Sequence, residues 1–152
     1  MGSRERVSRY LSTSGVRYEL REFDGSTKNS SLAARALGCT VAEIAKSVVF
    51  VGQKTVVAII SGDRKVDSAK LQEVAGTKLR IAKPTEVKER TGFPIGGVPP
   101  FPHGEEVTVL ADASLTRFSL VWAAAGTPNS VFRIGTNDLL RLLKTAPIDI
   151  AE

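Results

Sequence analysis

Three places in the sequence hold residue types from which chemistry could be built. The first runs from Gly92 to Gly104 and contains four glycines and four prolines, so it can be neither a regular helix nor a central strand. It reads as a long ordered loop, stiffened by proline. Loops of this length in compact domains are uncommon and tend to be functional. Gly96 and Gly97 would let a ligand approach the main chain closely and could turn successive N–H groups toward an anion or a developing oxyanion. A binding wall and a purely structural Ω-loop both fit this segment.

The second place is Lys46, read as standing between a capped turn and a run of apolar residues, with its stem enclosed and its ammonium at the strand's end. One reading makes it a counter-charge to the carboxyl end of the preceding helix, a contribution of about 0.3–1 kcal/mol. The other makes it a point charge placed to grip a phosphate or a carbonyl oxygen. The third place is the pair Cys39 and His103, the only cysteine and the only histidine. One of each excludes an internal disulfide and the usual zinc sets, so neither a metal nor another cofactor is expected. Cys39 reads as a small packing residue and His103 as a loop residue without a chemical role.

The elements that must position these groups follow from periodicity. Val7, Tyr10 and Leu11 recur at helical spacing between Arg4 and Ser14, with Gly15 as a stop. Residues 16–23 alternate as a half-buried strand. Ser30 or Ser31 can cap a short helix through Leu37, and Thr40 with Glu43 has the spacing of a capping box for a turn ending near Ala45. Residues 47–51 and 55–60 are apolar on both faces around a short turn, which predicts a central hairpin covered on both sides. Asp67 can cap a helix ending at Gly76, residues 79–81 form a short strand, and Pro84 opens a helix to Arg90. Strands over 107–110, 119–123 and 131–134 precede a closing helix over 136–144. Helices set irregularly among hairpin-like strands predict an α/β fold of the mixed α+β type, a mixed β-sheet flanked by short helices.

At 152 residues the chain has the size of one domain, taken here as 1–152. No apolar run approaches the roughly 20 residues of a membrane span, and the N-terminus lacks a signal-peptide core, so a cytoplasmic protein without a membrane partner is expected. A net charge of +5 favours an anionic partner, with nucleic acid the first candidate. No block of like charges forms a tail, so the basic residues belong to a folded surface.

Five motifs in order resemble the YbaK-like prolyl-tRNA editing family: Ala45 to Phe50, Thr91-Gly92-Phe93, Gly96 to Pro100, Leu110 to Leu115, and Ala124-Ala125-Gly126. The resemblance covers roughly Val7 to Leu143. It implies a curved mixed sheet in a free-standing member of the family, since the chain has no room for a synthetase catalytic domain. It also implies a misacylated tRNA as substrate, tRNA for proline first, and association with prolyl-tRNA synthetase. Position by position, Lys46 matches the family's functional lysine and Gly96 to Pro100 its G-x-x-x-P loop. Lys46, Gly96 and Gly97 become the catalytic candidates, and Val98, Pro99 and Pro100 line the aminoacyl site. Gly126 matches a pocket glycine, with Thr127 and Ser130 as candidates for the wall, while Asp112 matches a turn aspartate. Residues 127–133 depart from the pattern of the cysteine-specific members, which leaves the amino acid removed open.

The expected reaction is hydrolysis of the ester joining a small non-cognate amino acid, such as alanine, to the tRNA 3′ end. Such an ester is already activated, so positioning and preorganised dipoles suffice without a strong side-chain nucleophile. The rival from another class is a non-catalytic module that binds an aminoacyl-tRNA end or a nucleotide; a second is hydrolysis of some other small acyl ester.

Overall fold

In a computed structural model of the protein, which describes residues 2–25 and 29–152, the periodic segments become five helices and seven strands. Helix α1 (Ser3–Ser14) buries Val7 and Leu11, and strand β1 (Tyr18–Glu22) follows it. Helix α2 (Ser30–Leu37) is capped by Asn29, whose Oδ1 accepts the Leu32 N–H at 2.9 Å. The cap is therefore Asn29 and neither Ser30 nor Ser31, which lie inside the first turn. A cap of this kind contributes about 1 kcal/mol.

The capping box closes where expected. The Glu43 carboxylate accepts from both the Thr40 N–H, at 3.0 Å, and its hydroxyl. It closes a single 3₁₀ turn, Val41–Glu43, and strand β2 (Ile44–Gly52) begins at once. Lys46 is thus inside the strand, not ahead of it. The element before it is that 3₁₀ turn, which ends at Glu43.

Strand β3 (Thr55–Ser61), buried at every residue, pairs antiparallel with β2. Helix α3 (Ser68–Ala75) starts on Asp67, which accepts the Lys70 N–H at 3.1 Å, and stops on Gly76 in the left-handed region, φ 73°. Strand β4 (Leu79–Ile81), helix α4 (Pro84–Thr91) with proline in its first turn, strand β5 (Val107–Ala111) and a 3₁₀ turn (Ala113–Arg117) come next. Strands β6 (Leu120–Ala124) and β7 (Ser130–Gly135) lead into helix α5 (Thr136–Leu143).

The sheet is mixed, in the order β1-β7-β6-β2-β3-β5, with β4 pairing β2 off this path. The β2–β6 and β3–β5 ladders are parallel and the others antiparallel. One face carries the larger core, where Val7 and Leu11 of α1, Val87 of α4 and Leu139 of α5 pack with Val49, Ile59, Phe132 and Ile134. The glycine-proline segment is fixed on that face through Phe93, Val98 and Phe101, which are at most 5% exposed. The other face carries two smaller clusters. Leu71 of α3 meets Phe50, Val56, Ala58 and Ile150, while Ala33 and Ala34 of α2 meet Ile44, Trp122 and Val131. Between these two clusters the sheet opens.

Candidate functional site

The opening arises because β2 has two neighbours on one edge and a gap between them. Its parallel ladder with β6 consists of Ile44–Trp122 and Ala45–Ala123 and goes no further. On the same edge β4 takes over at Phe50–Gly52, preceded by the Ala82 N–H donating to the Val49 carbonyl at 2.9 Å. Lys46, Ser47 and Val48 span the fork. The Gly62 N–H donates to the Ile44 carbonyl at 2.8 Å, so in the antiparallel alternation Ile44, Lys46 and Val48 turn their peptide groups to β3. Ser47 therefore turns its N–H and C=O the other way, into the fork. Its side-chain oxygen is also buried without a hydrogen-bond partner among the described residues, a condition that costs about 1–3 kcal/mol unless a ligand or water relieves it.

A cleft of about 470 Å³ occupies this fork. Lys46, Ser47, Trp122 and Ala124 form its strand side, Gly96 and Val98 of the glycine-proline loop close one wall, and residues 29–31 and 33 at the start of α2 close another. Among the described residues Lys46 makes no hydrogen bond or ion pair, so its donors are free for a ligand. Burial pushes its ammonium below the usual lysine range; the charge of Asp63 opposes this and that of Lys65 adds to it. The Asp63 carboxylate is itself held by Arg117 through contacts of 2.7 and 3.1 Å. The ammonium in the cleft thus lacks a resident anion.

The residues expected at the site separate into two layers. Lys46, Gly96 and Val98 line the cleft; Gly97, Pro99, Pro100, Gly126, Thr127 and Ser130 do not. Gly97 donates its N–H to the Pro94 carbonyl at 2.9 Å, and a Cβ there would lie 2.8 Å from the Thr127 main chain. Its smallness lets the loop rest on the β6–β7 turn. In that turn the Thr127 hydroxyl contacts Ser130 Oγ at 2.5 Å and Asn129 Oδ1 at 2.9 Å, so the polar groups of Thr127 and Ser130 answer one another. Gly126, at φ 104°, backs onto the Ser3 carbonyl of α1. The Pro99 carbonyl takes Nε2 of His103 at 2.8 Å, and Pro99 and Pro100 are buried. Burial pushes the His103 imidazole below its ordinary range, toward the neutral form that donates this bond. The N–H groups of Gly96 and Val98 have no protein partner among the described residues.

Two further residues lie outside the cleft. Asp112, 2% exposed, accepts the Ser114 and Ile150 N–H groups, each at 2.9 Å, and so ties residues 148–151 to the end of β5. Cys39 packs beside the α2 cluster, where burial raises its thiol. Sequence reasoning missed Ser47 and Trp122. The available signal was a lone hydroxyl in an apolar strand for one, and the single tryptophan of the chain for the other.

A family model described as the aminoacyl-tRNA editing domain matches residues 24–142. YwhH of Bacillus subtilis (strain 168), a protein of uncharacterised function, is 36% identical over 123 residues, 80% of this chain and 78% of its own length. The multifunctional Ser/Thr-tRNA deacylase ProXp-y of Escherichia coli (strain K12) is 33% identical over 89 residues, 57% of this chain and 53% of its own. A solved structure described as a candidate trans-editing enzyme for prolyl-tRNA synthetase superposes with a TM-score of 0.90 at 38% identity, covering 100% of this chain and 98% of that one. With the match spanning most of the chain and every strand of the fork, the protein belongs to the aminoacyl-tRNA editing domain family and is an aminoacyl-tRNA deacylase.

Proposed function

We propose that this deacylase removes a small non-cognate amino acid, alanine first, from tRNA for proline, acting in trans to prolyl-tRNA synthetase in the cytoplasm. The observation that carries the reading is the cleft itself: a lysine and a buried hydroxyl, neither with a partner among the described residues, in a slot whose walls include Ala45, Ala123 and Ala124. Walls of that size suit a short side chain, and exclusion of a larger one is the steric selectivity that a snug pocket provides.

In this reaction water attacks the ester carbonyl, the bond from that carbon to the ribose oxygen breaks, and the products are the free amino acid and the tRNA hydroxyl. Lys46 holds the phosphate of the terminal nucleotide or the carbonyl oxygen. The free N–H groups of Gly96 and Val98 serve the developing oxyanion, a form of stabilisation that requires only fixed dipoles. Ser47 supplies an N–H, a C=O and a hydroxyl to the aminoacyl group or to the attacking water. Gly97, Pro99, Pro100, Gly126, Thr127 and Ser130 act behind these groups by fixing the loop against the β6–β7 turn.

The test is single-turnover hydrolysis of tRNA for proline charged with alanine, serine, cysteine or proline. Rapid loss of alanine with proline retained is the expected result. Protection of every ester by saturating protein would sink the reading and leave a binding module.

A further inference from the structure

On the face of the sheet that opens into the cleft, the residues follow in rows across the strands. Registers place Glu19, Arg133, Trp122 and Ile44 in one row, and Arg21, Val131 and Ala124 in the next, which would meet Lys46 had the β2–β6 ladder continued. Trp122, Val131 and Ala124 line the cleft. Beyond them, at the β1 edge, two guanidinium groups lie over the Trp122 ring: the Arg21 carbon is 5.1 Å from its centroid and that of Arg133 is 5.5 Å. Stacking on an aromatic face fixes a guanidinium and reduces the entropy lost when it takes a further ligand.

Glu19 lies between them. It accepts Arg21 Nε at 2.6 Å and Arg133 Nη2 at 3.2 Å. One carboxylate between two guanidinium groups leaves a net positive charge. The two Nη groups of Arg21, and the Nε and Nη1 groups of Arg133, have no protein partner among the described residues. Both side chains remain open to solvent, at 47% and 43% exposure. Arg133 on β7 lies two strand spacings from β2 and Arg21 on β1 three, so their backbones stand about 10–14 Å from that of Lys46. That distance suits a short single strand whose last residue enters the cleft.

We propose that Arg21 and Arg133, held on Trp122 and spaced by Glu19, bind backbone phosphates of the single-stranded 3′ end of tRNA and lead its terminal nucleotide along β7 and β6 to Lys46. This rests on the reading of the cleft as an aminoacyl-ester site. Recognition of a single strand through its phosphates is indifferent to base sequence and depends on salt, by about 0.7 in the logarithmic slope for each phosphate neutralised.

The experiment compares the wild type, the double variant Arg21→Gln/Arg133→Gln and the double variant Arg21→Lys/Arg133→Lys on alanyl-tRNA for proline and on 3′-alanyl-adenosine, which lacks every phosphate. The expected result is an about tenfold rise in KM on the tRNA for the glutamine variant, with the slope of log affinity against log salt reduced by about 1.4, and unchanged turnover of alanyl-adenosine. The lysine variant should keep most of the slope. An equal loss on alanyl-adenosine would show that the arginines only support the cleft wall, and an unchanged slope would show that they bind no phosphate; either overturns the proposal. If the wild type hydrolyses neither ester, the reading of the cleft fails, while the salt slope for uncharged tRNA still decides the arginine pair separately.

Discussion

The glycine-proline loop and the β2–β6 fork face each other across one cleft, and they differ in how their polar groups are used. Behind the loop, Gly97 is bonded to Pro94, the Pro99 carbonyl to His103, and Thr127 to Ser130 and Asn129. Inside the fork, the Lys46 ammonium and the Ser47 hydroxyl have no hydrogen-bond partner among the described residues. The region with the conspicuous composition is largely scaffolding, though among the described residues it leaves the Gly96 and Val98 N–H groups and His103 Nδ1 unpartnered, and the region that looks like an ordinary core strand adds the Lys46 ammonium and the Ser47 hydroxyl. Unmade hydrogen bonds in a well-packed protein are costly; among the described residues three buried side-chain atoms lack a partner, and of these Ser47 Oγ belongs to a residue lining the cleft while Ser61 Oγ and His103 Nδ1 belong to residues outside it.

Substitutions can break or sharpen this contrast. Lys46→Ala should reduce kcat/KM for the preferred misacylated tRNA by about a hundredfold, the scale of losing one preorganised electrostatic group, with the thermal midpoint little changed. Retention of full activity would remove the fork from the mechanism. Gly97→Ala should destabilise the protein by about 1–3 kcal/mol through overpacking against the Thr127 main chain, readable by urea unfolding; unchanged stability and activity would mean the loop does not need its seat on the β6–β7 turn.

Ser47→Ala should behave in the opposite sense. Deleting a buried hydroxyl that bonds nothing leaves stability unchanged or slightly raised, while turnover falls about tenfold. A loss of stability with turnover intact would reverse the assignment of fork and scaffold at this residue. The smallest effect concerns pH. The Lys46 cation is needed, and its pKa is lowered by burial, so the Lys46-dependent part of the rate is present at lower pH and declines as pH rises through that lowered value, earlier than for a free lysine. Lys46→Ala should lack this alkaline limb once spontaneous ester hydrolysis is subtracted.

Much of the scaffold was legible. Asp67 and Gly76 bracket α3, Pro84 opens α4, and the Thr40–Glu43 box closes its turn, because these are local signals whose donors and acceptors lie within a few residues. The cap of α2 was misplaced by one residue, because three consecutive residues with side-chain oxygens each satisfy the same local rule and only Asn29 meets the Leu32 N–H. Lys46 was placed ahead of the strand because the unbroken apolar run starts after it; alternation across the sheet from Ile44 onward puts it within. Lys46, Gly96 and Val98 line one cleft, but the fork was not legible. It exists because the β2–β6 ladder stops at Ala45, and where a long-range parallel ladder stops is a matter of strand twist and of what fills the gap, for which no local residue pattern codes.

That short ladder has a mechanical consequence. The strands β1, β7 and β6 form one plate and β2, β3, β5 and β4 another, joined edge to edge at two residue pairs, Ile44–Trp122 and Ala45–Ala123. A joint of that kind resists sliding but yields to flexing, so the aperture between the plates is set by the angle at which they meet. Bulk added at Ala45 or Ala123 would narrow the slot at its own wall and also act as a shim at the joint, changing the aperture, and with it the admissible side chain, without removing any polar group of the site.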